Sequence, residues 1–266
     1  RLKKHISKWA EATKSKYIVD VIENGYKLPF RETPNSVMLR NNRFARENLK
    51  FVTEEILQLL VKGVISESES VPYVVNPLTV AYNRADKPRL VLDCRHINPF
   101  LHLFKVKFED IRIAETIFER NSFLFTYDLK GAYHHIDIFA EHRTYLGFSL
   151  SENGVQKFYV FNSLPFGIKT AGHIFTKVLR VVVAFLRSKG HKNVMFLDDG
   201  IGGSNRYDFA LHSSQYVKQT LIDFGFLLAD NKCCWNPCKR VDWLGHCIDM
   251  HENKLFISNE RIGRLE

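Results

Sequence analysis

Three observations on the amino-acid sequence predict an α+β fold. Apolar runs of strand length recur, longer stretches carry apolar residues at helical spacing, and the two kinds follow one another in mixed order, unlike a doubly wound parallel sheet. The 266 residues (31.0 kDa) suit one large domain or two small ones. A content of 45% hydrophobic and 25% charged residues excludes global disorder.

The elements can be justified in order. Thr53 is placed to cap a short helix, with Glu54 and Glu55 in its first turn, Ile56, Leu59 and Leu60 on one face and Gly63 just past its end. Val74–Tyr82 and Arg89–Leu92 read as two strands joined by a polar, positively charged loop over 83–88, a hairpin able to reach over a phosphate-bearing ligand. Phe123–Asp128 reads as a buried strand ending in a carboxylate, and Phe158–Phe161 as another short strand. Ile174, Phe175, Val178, Leu179, Val182 and Leu186 follow helical spacing until Gly190. Asn193–Leu197 and Ile201–Gly203 flank Asp198-Asp199-Gly200 as a tight hairpin. Asn205 is placed to cap a helix with Ala210, Val217, Leu221 and Phe224 on one face and Gly225 at its end, and Val241–Ile248 with Leu255–Ile257 suggest a further hairpin.

Charge narrows the class of partner. Lys and Arg number 38 against 29 Asp and Glu, giving a formal charge of +9 and a pI near 9.3, which suits a polyanion. Five cysteines, an odd number in a chain able to bury a core, imply reduced, intracellular thiols. Cys233, Cys234, Cys238, His246 and Cys247 lack the paired spacing of a zinc knuckle. The longest wholly apolar run, Val181–Leu186, is far short of the roughly 18 residues of a membrane span, so no membrane role is expected. A first residue of Arg, with no apolar signal core after it, suggests a segment excised from something longer.

The carboxylates are the first residues able to carry chemistry. Asp198-Asp199-Gly200 has two readings: a common Asp-Gly turn, or an open, water-accessible site for a hard divalent cation. The second needs another carboxylate, and Asp128 is the candidate, at the end of its own strand. Magnesium binds through one or two carboxylates plus substrate phosphates, and two such ions suit in-line phosphoryl transfer. Asp137 and Asp93 compete as ligands, though Asp93, near Arg95, reads as an ion-pair partner.

Four blocks in order resemble a reverse transcriptase: Pro88-Arg89-Leu90-Val91-Leu92-Asp93-Cys94-Arg95-His96-Ile97-Asn98, Asp128-Leu129-Lys130-Gly131-Ala132-Tyr133, Leu164-Pro165-Phe166-Gly167-Ile168-Lys169 and Phe196-Leu197-Asp198-Asp199. Phe224-Gly225-Phe226 with Lys232-Cys233 resembles the block that follows, and Trp243-Leu244-Gly245 the primer grip. The resemblance implies a right-hand polymerase fold, with fingers and palm subdomains, an antiparallel palm sheet flanked by helices, and the thumb missing. It divides the chain into an N-terminal extension (1–30), a reverse transcriptase domain (31–257) and the start of a connection to the thumb (258–266). Fingers are expected over about 31–103 and 137–170, and palm over about 104–136 and 171–257.

The same resemblance assigns roles. Asp128 and Asp198, with the Leu129 backbone carbonyl, hold magnesium, with manganese as a substitute; Asp199 is the adjacent catalytic aspartate, turned from the metals by strand alternation. Lys232 protonates the departing pyrophosphate. Arg89, helped by Lys87, clamps the incoming triphosphate. Tyr133 lies beneath the sugar and selects against a 2′-hydroxyl, although a core tyrosine is the plain alternative. Phe166 and Gly167 support the nucleotide, the glycine by permitting close backbone approach. Trp243, Leu244 and Gly245 grip the primer, Trp243 being equally plausible as core.

The expected function is therefore RNA-directed DNA polymerase of a retrotransposon, adding deoxynucleoside triphosphates to a primer on an RNA or DNA template. Its setting is cytoplasmic or nuclear, and thumb and ribonuclease H belong to the same polyprotein. The alternatives are a degenerate or domesticated nucleic-acid-binding protein keeping the fold, and a two-metal nuclease, in which Arg89, Tyr133 and the primer grip would have no role. Two departures stand out: Phe196 where tyrosine is commoner, and Thr170-Ala171-Gly172-His173 where many relatives have proline. Gly200 and Asn24-Gly25-Tyr26-Lys27-Leu28-Pro29-Phe30 resemble DIRS-like elements, with gypsy-like and pararetroviral elements as alternatives.

Overall fold

A computed structural model describes residues 1–82, 86–152 and 154–258. In chain order the elements are α1 (Ile6–Ala12), α2 (Lys16–Asn24), β1 (Val37–Met38), α3 (Arg43–Glu47), α4 (Leu49–Val61), β2 (Ile65–Ser68), β3 (Val74–Val75), β4 (Leu78–Tyr82) and β5 (Pro88–Leu92). Then follow α5 (Ile111–Ile117), β6 (Phe123–Asp128), β7 (Gly147–Glu152), β8 (Val155–Phe161), α6 (Ala171–Ser188), β9 (Asn193–Phe196) and β10 (Asp199–Ser204). The last are α7 (Tyr207–Asp223), β11 (Cys234–Cys238), β12 (Arg240–Trp243), β13 (His246–Asp249) and β14 (Lys254–Ile257). Helices and largely antiparallel sheets make this a mixed α+β fold.

The chain forms two compact units. The first comprises Arg1–Ile18, Val106–Ala132 and Phe175–Glu266. Its principal sheet is antiparallel in the order β11-β6-β10-β9, and a second runs β12-β13-β14. Strand alternation gives the principal sheet two different faces. Leu124, Val194 and Ile201 pack with Ala114 and Phe118, at α5 and its C-terminal edge, and with Val241 and Trp243 of β12. Phe125 and Tyr127 occupy the opposite face. The N-terminal stretch is built into this unit: Trp9 is fully buried, edge-on to Phe224 at 4.8 Å, and donates its Nε1 hydrogen to the Phe224 carbonyl at 3.1 Å.

The second unit comprises Val19–Lys105 and Tyr133–Ile174. It holds a sheet in the order β1-β3-β7-β8-β2 and the separate β4–β5 hairpin. Asp93 is paired with Arg95 at 2.5 Å and accepts from Asn42 at 2.9 Å, and these bonds hold its carboxyl down at about 2.

Several elements differ from the sequence reading. The helix expected from Thr53 starts at Leu49, so Thr53 lies inside it, while Gly63 does follow its end in the left-handed region (φ 68°). Val74–Tyr82 is interrupted at Asn76-Pro77, since proline cannot donate to a ladder, and its halves join different sheets. β7 was not anticipated; it pairs with β8 along its length. α7 begins at Tyr207 with no side-chain cap, and Asn205 bonds to Glu119 instead. Val241–Ile248 is two strands that turn at Leu244-Gly245. Residues 83–85 of the basic hairpin loop and 259–266 of the expected thumb connection lie outside the described residues.

Candidate functional site

In the first unit, β6 and β10 pair so that Asp128 stands opposite Asp199, and β9 pairs with β10 so that Phe196 stands opposite Asp199. The hairpin therefore turns through two residues, Leu197 and Asp198, with Leu197 at a φ of 51°. The expected three-residue tip is corrected, because Asp199 and Gly200 are already strand. Alternation between Asp198 and Asp199 predicts that Asp199 turns away from its neighbour; Asp198 lies in the turn, and Asp199 stands directly opposite Asp128 and shares its face, as opposed residues of an antiparallel ladder do.

Gly200 has a packing reason rather than a turn reason. A β-carbon at Gly200 would strike the ring of Tyr127, and one at Gly202 the ring of Phe125. The two glycines leave a trough in β10, and the Tyr127 hydroxyl accepts a hydrogen bond from the Asn193 amide of β9. Burial pushes the Tyr127 phenol up, keeping it neutral.

Three carboxylates and one ammonium gather at this end of the ladder. Leu129 N–H donates to the Asp198 carbonyl at 2.9 Å, which ties the turn to the end of β6. Lys232 Nζ lies 3.0 Å from Asp128 Oδ2, and Asp128 N–H donates to Cys233 Sγ at 3.4 Å. Burial, then the charges of Asp198 and Asp128, push Asp199 up to about 6. Burial opposes the Lys232 charge, yet its bond to Asp128 and the three carboxylate charges carry it above the usual lysine range. Burial likewise raises the Cys233 thiol.

The residues present fit a hard divalent cation. Their donors are carboxylate oxygens, the donors such an ion prefers, and three of these groups face one ammonium. Among the described residues no group of three or more His, Cys, Asp or Glu side chains is arranged to hold an ion.

The remaining first-unit residues form the β12–β13 turn. Leu244 (φ 51°) and Gly245 (φ 75°) are both left-handed, the geometry of a tight two-residue hairpin. Trp243 is buried in the core cluster, and Leu244 packs against that cluster.

In the second unit, Arg89 stands on β5 opposite Ala81, exposed, with Lys87 just before the strand, also exposed. Tyr133 is half-buried, its ring centroid 5.1 Å from that of Phe166. Gly167 has a φ of 113°, and a side chain there would run into the Leu92 carbonyl. Asn98 holds the same loop from both sides, donating to the Gly167 carbonyl at 2.9 Å and accepting from Lys169 N–H at 2.9 Å. Sequence reasoning gave Asn98 no role, although it closes the Pro88–Asn98 block; Cys233 was quoted without a contact to Asp128.

The chain is similar to proteins of one family. The family model described as reverse transcriptase (RNA-dependent DNA polymerase) matches residues 81–248. The chain is 31% identical over 212 residues to the retrovirus-related Pol polyprotein from transposon gypsy of Drosophila melanogaster, covering 77% of the chain and 19% of that protein. It is 26% identical over 238 residues to the Pol polyprotein from transposon 412 of the same species, covering 86% and 18%. To the Pol polyprotein of equine infectious anemia virus (isolate 1369) it is 27% identical over 209 residues, covering 76% and 18%. The chain thus spans under a fifth of the length of these relatives. Among solved structures, a foamy viral protease-reverse transcriptase in complex with double-stranded DNA matches with a TM-score of 0.67 at 17% identity, covering 97% of this chain and 47% of that one. That likeness extends to the fold, whose sheets and helices fit fingers and palm.

Proposed function

The chain belongs to the reverse transcriptase (RNA-dependent DNA polymerase) family, and on that premise we propose that it adds deoxynucleotides to the 3′-hydroxyl of a primer annealed to an RNA or DNA template. The observation that carries this reading is the gathering of Asp128, Asp198, Asp199 and Lys232 at one end of the β6–β10 ladder. Asp128, Asp198 and the Leu129 carbonyl are the residues that would hold magnesium or manganese. Two such ions supply activation of the attacking hydroxyl and stabilisation of the leaving oxygen.

The chain's own groups do the rest. Lys232, its charge reinforced by three carboxylates, holds the proton that goes to the departing pyrophosphate. Arg89, with Lys87 beside it, offers a planar fork to triphosphate oxygens. Tyr133, braced by Phe166, lies under the sugar and leaves no room for a 2′-hydroxyl. Gly167 lets the loop backbone approach the nucleotide, and Trp243 anchors the Leu244-Gly245 turn that grips the primer. The surplus of nine positive charges suits a nucleic-acid backbone held without sequence preference.

In this reading the first unit is palm and the second fingers. Support comes from the divisions at 105/106, 132/133 and 174/175, each within a few residues of those expected from the resemblance. Within the family the chain is DIRS-like, on Gly200 and the Asn24–Phe30 stretch. Such an enzyme works in the cytoplasm or nucleus; among the described residues no helix is long and apolar enough to cross a membrane.

The test is extension of a labelled DNA primer annealed to RNA, with magnesium or manganese and deoxynucleotides, run beside Asp128→Asn. Extension by the parent alone supports the reading. Duplex binding without extension, repeated on a longer polyprotein segment, would replace it with a degenerate binding protein.

A further inference from the structure

β11 is an irregular strand. It pairs Cys234 with Thr126 and Cys238 with Leu124, so four steps of one strand run beside two of its partner and the excess length bulges. At about 3.3 Å per residue, cysteines four apart on a regular strand would be separated by about 13 Å. Partners two residues apart on β6 bring them to roughly half that distance.

The bulge is anchored from within. Pro237 is buried, and Trp235 stacks on Tyr127 with ring centroids 5.4 Å apart and planes 6° from parallel. Cys234 Sγ turns back to the Asn236 carbonyl within the bulge at 3.6 Å, and Cys238 Sγ reaches forward to the Arg240 carbonyl at the start of β12 at 3.1 Å. Cys234 is exposed and Cys238 half-buried. Neither has a part in the polymerase site, where Cys233 is the thiol that touches Asp128.

We propose that Cys234 and Cys238 are a redox modification site, a dithiol that closes to a reversible disulfide across the β11 bulge. The exposed thiol reacts first. With a peroxide as oxidant, the Cys234 sulfur attacks one peroxide oxygen, the O–O bond breaks, Cys234 becomes a sulfenic acid and one water leaves. The Cys238 sulfur then attacks the Cys234 sulfur, the S–O bond breaks, and the hydroxyl departs with the Cys238 proton as a second water. Two thiols and one peroxide thus give one disulfide and two waters, and a dithiol reductant reverses the change. Native disulfides span Cα separations of about 4.4–6.8 Å, so closure tightens the bulge slightly without moving it from β6.

The placement gives the bond a consequence that rests on the proposed polymerase. Lys232 and Cys233 immediately precede the bulge, and β12 with the primer-grip turn follows it. Tightening between them shifts Lys232 against Asp128.

The test uses the full chain, reduced, then treated with hydrogen peroxide, denatured and alkylated. Mass spectrometry of the tryptic peptide Cys233–Lys239 should show a loss of about 2 Da with a single alkylated cysteine that fragmentation places at Cys233, reversed by dithiothreitol. Cys234→Ser and Cys238→Ser should each abolish the loss. Three alkylated cysteines after oxidation, or Cys234 carrying two or three oxygens beside an alkylated Cys238, would overturn the site. Oxidised parent should extend primers several-fold more slowly and recover with dithiothreitol, while the double serine variant is indifferent to peroxide. A disulfide with unchanged extension would overturn the coupling alone. Absence of extension in the reduced parent would count against the polymerase and leave the mass result standing.

Discussion

The ring of Tyr127 lies across the backbone of Gly200, in space that any β-carbon would occupy. This one contact explains the glycine after the paired aspartates. It also joins the β6 strand that ends in Asp128 to the β10 strand that begins with Asp199.

Gly200→Ala should therefore destabilise the fold by about 1–3 kcal/mol, the cost of overpacking a filled interior. Tyr127→Phe should cost about 1–3 kcal/mol through the buried Asn193 amide it leaves unpaired. In a Tyr127→Leu background the Gly200→Ala penalty should shrink. Urea unfolding of the four variants in a double-mutant cycle measures the coupling, and strict additivity would show that the ring and the glycine act independently.

Asp198→Asn should lower primer extension by at least about a thousandfold while circular dichroism and the unfolding midpoint stay near those of the parent. Metal-dependent extension at parental rate would remove Asp198 from the site.

Tyr133→Ala should raise incorporation of ribonucleotides relative to deoxynucleotides by about tenfold or more, read from competitive single-nucleotide extension. An unchanged sugar preference would make Tyr133 a packing residue for Phe166 and nothing more.

His191 supplies a pH dependence of stability. It is buried, stacked on Tyr216 at 4.2 Å and bonded to Ser213 at 2.6 Å; burial first, then the nearby His212, hold its pKa below the usual value. The unfolded chain takes up the proton first, near pH 6.5, so stability is full above that pH and declines as pH falls below it. Thermal unfolding at pH 7.5 and 5.5 should show a larger loss for the parent than for His191→Phe. Equal losses would place the titrating group elsewhere.

Much of this was legible in the sequence for specific reasons. Phe123–Asp128 and the apolar spacing from Ile174 to Leu186 gave their elements directly, because burial imposes a period that composition records. The order of Arg89, Asp128, Gly167 and Asp198 gave the family. What escaped depended on partners distant in sequence. The place of Asp199 is set by register with β6, and the strand character of Gly200 by the Tyr127 ring. Asn98 secures its loop through bonds to residues about seventy positions away, and β11 holds two cysteines together only because it pairs out of step.

Leu197 occupies a left-handed backbone that costs a side-chain-bearing residue about 1–2 kcal/mol, where glycine would adopt it freely. Every folded copy carries that cost. The path of the backbone into Asp198 is thus set when the chain folds, and in the polymerase proposed above no rearrangement of this turn need be timed to the reaction. A glycine at 197 would relax the turn and widen the range of backbone conformations open to it, so the leucine trades a little stability for a fixed turn.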